Sequence, residues 1–203
     1  MTISRQDAER VATAIRSAEG ETSAEIVCIL ASSSSHLTAL PILLAAISAL
    51  ITPWALMLLT ALPVQRLLSA QIIVFCLLVT VFGLPNVRTR LLPRKAKRRI
   101  AHQAAMEQFI RRGLAEPKSG PAILIFVSLA ERYARIITND QVATRVPDAE
   151  WRFALDVLIE QLRSGRVGDG FIAAISRSGL VLKEHFPVIP GAPERFADRL
   201  HLV

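Results

Sequence analysis

The sequence contains few of the residues that most often carry chemistry. Among its 203 residues are two cysteines, four histidines and one tyrosine. Cys28 and Cys76 lie in separate apolar runs with no metal-ligating residue at a suitable spacing, so neither a disulfide nor a thiol-bound metal is expected. The glycine-rich phosphate loop and the HExxH, GxSxG and CxxC motifs are absent, and the scattered histidines are expected to be solvated or capping groups.

Acidic residues are absent from residues 37–99. Within this stretch, Leu37–Leu62 and Leu67–Pro85 carry no charge at all. A helix needs about 20 apolar residues to cross a bilayer, and both runs are close to or above that length. Only the short segment PVQR separates them, which is enough for a turn. The sequence therefore predicts a two-helix transmembrane hairpin over residues 36–87.

Positive charge is concentrated directly after the predicted hairpin. Residues 88–99 carry seven bases and no acid, whereas residues 100–203 are nearly balanced, with thirteen bases and twelve acids. The seven are Arg88, Arg90, Arg94, Lys95, Lys97, Arg98 and Arg99. Lys and Arg at a membrane exit mark the cytoplasmic side, and each attracts anionic lipid headgroups by about 1 kcal/mol.

This distribution of charge predicts a two-pass protein of the bacterial inner membrane with both termini in the cytoplasm. The expected partners of the seven bases are the lipid bilayer and its anionic headgroups. The basic block contains no aromatic residue on which a base could stack, so nucleic acid is not an expected partner.

The segments on either side of the hairpin are each too small to bury a core alone. Residues 1–35 predict one helix, which Ser4 and Asp7 cap and Gly20 ends, and one strand over 24–31. Residues 88–190 predict a helix over 94–112 and strands over 122–130 and 133–138. Two further helices are predicted, one capped by Asp148 and one that begins near Asp169. We expect the two segments to form one domain, with residues 191–203 as a tail.

The near-continuous apolar strands indicate a sheet that is covered on both faces. We therefore predict an α/β fold: a small sheet flanked by helices and split by the transmembrane hairpin. The first two strands are predicted to be parallel and the third antiparallel to the second.

Four stretches of this domain resemble the TPM domain family: AIRSAEGETSAEIVCILA, GPAILIFVSLAERYARIITND, VPDAEW and LKEHFP. The chain is most similar to a bacterial subgroup in which a transmembrane hairpin interrupts the domain, and PERFADRL is similar to the ending of that subgroup. The resemblance implies the same small α/β fold. The resemblance also suggests an acid phosphatase activity, because the family carries that label, and metal binding, which has been proposed for some members. The glycine-rich stretch that follows the third strand in many members is replaced here by TNDQVATRV.

Two groups of acidic residues are candidate sites. Glu25 at the start of the first strand, Asp140 after the third strand and Asp148 share one end of the predicted sheet, where their oxygens could hold a divalent cation such as calcium. Alternatively, Glu25 pairs with an Arg, Asp140 shapes a turn and Asp148 caps its helix. Glu131, beside the serines at 32–35, could bind a polar ligand at the carboxyl ends of the strands, or could simply belong to a turn.

No catalytic residue is assigned from the sequence. The favoured function is a membrane-anchored accessory or scaffold protein that contacts an unidentified membrane protein at the cytoplasmic face. One alternative is a membrane-bound phosphate-ester hydrolase, as the family label implies. Another is a hairpin that assembles with other membrane helices, with the domain as their regulator.

Overall fold

The computed structural model describes residues 3–32, 39–59, 63–83, 93–116, 120–188 and 200–202. The chain forms two compact units, Met1–Ser34 with Arg98–Val203, and Ser35–Lys97. In chain order the elements are α1 (Arg5–Glu19), β1 (Glu25–Ala31), α2 (Ala39–Leu59), α3 (Val64–Gly83), α4 (Arg94–Arg111), β2 (Ala122–Ser128), β3 (Tyr133–Thr138), α5 (Asp140–Arg145), α6 (Asp148–Arg163), α7 (Val167–His185) and β4 (Leu200–Leu202).

The smaller unit contains the hairpin of α2 and α3. Both helices are long and apolar enough to cross a membrane, with mean hydropathies of 2.3 and 2.0 over their apolar windows. Only 11% and 6% of those windows are buried, unlike the core helix of a soluble protein. Ala45 and Ala49, one turn apart on α2, are buried in the hairpin, as is Leu67 of α3. Small residues at this spacing allow two helices to approach closely.

The larger unit is built on a four-stranded sheet in the order β3-β2-β1-β4. β1 runs parallel to β2, from Glu25 opposite Ala122 to Ala31 opposite Ser128. β3 runs antiparallel to β2, and β4 parallel to β1. The predicted α/β class and the predicted strand directions are therefore confirmed. Because β1 precedes the hairpin and β2 follows it, the paired strands span the insertion.

Helices cover both faces of the sheet, and alternate strand residues supply the two halves of the core. On one face, Ile26 and Cys28 of β1 pack in a cluster with residues of α1, α6 and α7. On the other face, Val27 and Ile29 pack in a cluster with Ala105 and Phe109 of α4. Burial raises the pKa of the Cys28 thiol, so this cysteine is an apolar core residue, as predicted.

The start of α1 confirms the predicted cap at Ser4, while the Asp7 carboxylate bonds to the Ser4 hydroxyl instead of returning the capping-box bond to the backbone. The Ser4 hydroxyl oxygen accepts a hydrogen bond from the Asp7 backbone N–H at 3.0 Å and donates one to the Asp7 carboxylate at 2.7 Å. The predicted cap at Asp148 is wrong. Pro147 occupies the N-cap position of α6 in an extended conformation, and Asp148 is the first helical residue.

Two elements of the fold were not predicted. The short helix α5 is capped by Asn139, whose side-chain oxygen accepts hydrogen bonds from the N–H groups of Val142 and Ala122. Residues 200–202, expected to belong to a tail, form β4, in which Leu200 lies opposite Cys28. The C-terminal residues therefore complete the sheet.

Candidate functional site

The carboxyl ends of β1 and β2 lie side by side at one edge of the sheet. Glu131, in the turn after β2, is only 6% exposed, and its carboxylate accepts a hydrogen bond from the Ser128 hydroxyl. The next residue, Arg132, has a φ of 50°, which is uncommon for a residue other than glycine. The tight turn thus directs Glu131 inward. The Ala130 N–H donates to the Ser32 carbonyl at 3.2 Å, so the first of the four serines lies at this edge, and the other three are outside the described residues.

A histidine and a tyrosine meet on the α4 side of the same edge. Tyr133 is the register partner of Ser128, so the two side chains share one face of the sheet. The Tyr133 hydroxyl lies 3.3 Å from Nδ1 of His102 on α4. Both residues are half-buried. Sequence reasoning missed this pair, because nothing in a single sequence links residues that are 31 positions apart.

The basic block leads into α4. Arg88 and Arg90 lie outside the described residues, and Arg94 is the first residue of the helix. Lys95, Arg98 and Arg99 are exposed and Lys97 is half-buried. Among the described residues, no carboxylate lies within 4 Å of the charged groups of these four side chains, whereas Arg111 at the other end of α4 pairs with Glu107 at 3.7 Å. The N-terminal part of α4 therefore carries positive charge that no described carboxylate pairs with.

The opposite edge of the sheet contains two of the predicted cation ligands. Glu25 begins β1 and is half-buried, and Asp140 follows the end of β3, which pairs back to Ile123 beside the start of β2. Asp140 and Asp148 are exposed first residues of α5 and α6, where a carboxylate stabilises the positive end of the helix dipole.

These three carboxylates do not form a recognisable metal site. Over the part of the chain that the structure describes, no group of three or more His, Cys, Asp or Glu side chains is arranged to hold a metal ion. The cation at Glu25, Asp140 and Asp148 stays a prediction.

An open groove of about 680 Å³ lies at this second edge. It is lined by Ser23, Pro121, Gln141, Thr144, Arg145, Phe186 and Pro187. The Arg145 guanidinium lies 5.0 Å from the centroid of the Phe186 ring and donates a hydrogen bond to the His185 carbonyl at 3.4 Å. The charged side chain that lines the groove, Arg145, therefore lies over the ring of Phe186.

A second aromatic–cation pair lies on the outer surface of α6 and α7. Phe153 is 58% exposed and Leu180 is 57% exposed, so two large apolar side chains face outward on these two helices. The guanidinium of Arg177 lies 4.9 Å from the centroid of the Phe153 ring. The Nε atom of Arg177 is buried and has no hydrogen-bond partner among the described residues. We call Phe153, Arg177 and Leu180 the α6–α7 patch.

Comparisons with known proteins support the fold. A family model described as the TPM domain, and named as a phosphatase family, matches residues 89–180. Among solved structures, the NMR structure of BA42 protein from the psychrophilic bacterium Bizionia argentinensis is similar, with a TM-score of 0.62. The similarity covers 100% of this chain and 97% of that one at 14% sequence identity, a level that indicates the fold alone. No curated protein matches the chain.

Proposed function

The chain contains a TPM domain, preceded in the sequence by two helices that are able to cross a membrane, and we propose from this premise that it is a membrane-anchored accessory protein. In this proposal the hairpin of α2 and α3 anchors the chain. The domain acts through contacts with a membrane protein at the cytoplasmic face. Because β1 precedes the hairpin in the chain and β2 follows it, the hairpin is covalently joined to the domain at both ends and would hold it at the membrane.

The α6–α7 patch is the observation that carries the proposal of protein contacts. Aromatic residues, including Phe, and arginine are enriched at protein interfaces relative to the rest of the surface. Arg177 already lies over Phe153, so less side-chain freedom is lost when a partner binds. A partner that offers an apolar side chain beside a carboxylate would match the apolar and cationic parts of this surface.

A photocrosslinking residue in place of Phe153 or Leu180 tests this role in bacterial membranes. We expect one discrete adduct with a membrane protein from either position. Arg5, whose side chain is 95% exposed on α1, is the matched control position and should give none. The Arg177→Glu change should reduce the adduct by reversing the charge. Equal labelling at the patch and at residue 5 would refute the role of the patch.

The basic block supports a cytoplasmic orientation in this proposal. Seven bases follow the second apolar run, while the single base between the two apolar runs is Arg66 in the first turn of α3. This asymmetry favours a two-pass inner-membrane protein with both termini in the cytoplasm. Reporter proteins fused before Thr2 and after Val203 should both give a cytoplasmic signal, and a periplasmic signal from either end would contradict the orientation.

The name of the matching family favours a second candidate function, a membrane-bound phosphate-ester hydrolase. Glu25 and Asp140 at the groove edge would then bind a divalent cation such as calcium. In an assay of the purified chain with p-nitrophenyl phosphate and calcium, this alternative predicts turnover that falls strongly in Glu25→Gln and Asp140→Asn. The accessory role predicts no turnover above background in any of the three proteins.

A further inference from the structure

We infer that Arg98, Arg99 and His102 on α4 form a binding site for a phosphate group. The inference rests on the membrane-anchored role proposed above, and it adds a defined site to the attraction between the basic block and lipid headgroups that the sequence predicts. The ligand chemistry is a phosphate that presents several oxygens, either in an anionic lipid headgroup or as a free phosphate.

The helix geometry brings the three side chains together. Residues three and four positions apart on a helix are neighbours, with Cβ atoms about 5–6 Å apart. His102 follows Arg98 by four positions and Arg99 by three, and all three lie within the continuous helix α4. The Cβ atom of His102 therefore lies beside those of Arg98 and Arg99 from the preceding turn.

Within the described part of the chain, no carboxylate competes with an anion for these two guanidinium groups. Both arginines are exposed, and among the described residues neither lies within 4 Å of a carboxylate. Guanidinium groups present forked N–H donors that match phosphate oxygens, often with two parallel hydrogen bonds. Arg111 on the same helix is also exposed but already pairs with Glu107, so it is a matched internal control.

The position of α4 over the sheet leaves Arg98 and Arg99 exposed and His102 half-buried. Ala101 and Ala105 are buried, and Arg98 lies about one turn before Ala101 on a similar side of the helix. Ala101, Ala105 and Phe109 mark the packed face, so the exposure of Arg98 indicates that this face extends past the covered part of the sheet. His102 lies at the boundary and is half-buried.

Tyr133 is the positioning residue of the site. Its hydroxyl lies 3.3 Å from Nδ1 of His102. When the phenol donates to Nδ1, the ring proton resides on Nε2, which makes Nε2 a donor. The contact with Tyr133 therefore restrains the orientation of the imidazole, and with the phenol as donor it leaves the Nε2–H available to an anion. Tyr133 is itself held by the pairing of β3 with β2.

The test uses the full chain with 15N-labelled histidine in lipid nanodiscs, and His102→Gln assigns the signal. One arm compares nanodiscs of phosphatidylcholine with nanodiscs that contain phosphatidylglycerol. The other arm adds inorganic phosphate to the phosphatidylcholine nanodiscs. We expect the imidazole 15N shifts of His102 to move. Movement in the lipid arm alone assigns the site to headgroups, and movement with inorganic phosphate assigns it to phosphate from either source.

The variants separate a site from general electrostatic attraction. Arg98→Gln or Arg99→Gln should weaken the response about tenfold, as expected for the loss of a charge-assisted hydrogen bond. Arg111→Gln should change the response less than about twofold, as expected for an exposed charge that is already paired. Tyr133→Phe should weaken binding about threefold and also alter the 15N signature of the His102 tautomer before any ligand is added, which a purely structural role would not do.

Two results would overturn the site. One is a His102 signal that moves in neither arm. The other is an equal effect of Arg98→Gln and Arg111→Gln. A separate measurement, protease cutting within residues 91–99, reports the general lipid contact. If phosphatidylglycerol slows this cutting although the site has failed, the general lipid contact stands and only the site is refuted. If phosphatidylglycerol does not slow this cutting either, the proposed lipid contact fails with the site.

Discussion

The hairpin and the sheet unit use the same apolar residue types in opposite environments. Leu124 in β2 is 0% exposed, whereas Leu58 in α2 is 89% exposed. In water, removal of apolar area from solvent drives folding, and large side chains are buried. Between helices in lipid no such force acts, and small residues pack while large ones face outward. Ala45 and Ala49 are buried in the hairpin in just this way, so its surface is suited to lipid.

The largest expected effect tests this contrast directly. Leu124→Ala should lower the free energy of unfolding of the sheet unit by about 2–5 kcal/mol, because it leaves a cavity in a closed core. Leu58→Ala should change stability by no more than about 0.5 kcal/mol, because the side chain leaves no cavity between protein elements. Unfolding of the full chain in nanodiscs measures both, with a probe in the sheet unit for Leu124→Ala and a probe in the hairpin for Leu58→Ala. Equal effects would mean that α2 is packed as a protein core.

A smaller effect is expected where two helices of the sheet unit touch. A Cβ atom added at Gly179 of α7 would lie 2.9 Å from the Cβ of Ala18 on α1. Gly179→Ala should therefore lower the free energy of unfolding by about 1–3 kcal/mol, since α1 must shift. Ser176→Ala, at an exposed position of the same helix, is the control and should be nearly neutral. A neutral Gly179→Ala would show that α1 moves freely on α7.

The sequence was sufficient for the parts of the fold that local patterns determine. The charge-free runs predicted two long apolar helices, and the continuous apolar stretches at β1 and β2 predicted buried strands. The Ser4 cap was also readable, because its hydrogen bonds join residues only three positions apart.

Sequence patterns could not predict the features that depend on contacts between residues far apart in the chain. β4 has three residues and exists because Leu200 can pair beside Cys28, so no local periodicity marks it. The bond between His102 and Tyr133 depends on how α4 lies over the sheet. Asp148 is not the cap of α6. Pro147, whose φ is fixed by its ring, occupies the N-cap position, and the helix begins one residue later.

The capping bond at the start of α1 provides a test of intermediate size. Ser4→Ala should lower the free energy of unfolding of the sheet unit by about 1 kcal/mol, because it leaves the Asp7 N–H without its side-chain acceptor. Thr13→Ala is the control within the same helix. The Thr13 hydroxyl donates only to the Glu9 carbonyl inside the helix, so its removal should have a small effect of either sign. A Ser4→Ala effect no larger than that of Thr13→Ala would count against the cap.

The smallest expected effect comes from removing the hairpin altogether. If the two units are energetically independent, replacing residues 36–92 by a flexible linker of about 12 residues should leave a folded, soluble sheet unit. Each doubling of loop length costs only about 0.6 kcal/mol, so the connection itself has little influence on stability. The cost of Leu124→Ala in this shortened chain should then agree with its cost in the full chain to within about 0.5 kcal/mol, as expected for sites that share no contacts. Urea unfolding gives the free energies, and amide hydrogen exchange at Ile29 and Leu124 reports whether β1 still pairs with β2. A shortened chain that folds but shows a much smaller Leu124→Ala cost would indicate that the hairpin contributes to the packing of the sheet, and the two regions would then have to be treated as one cooperative structure.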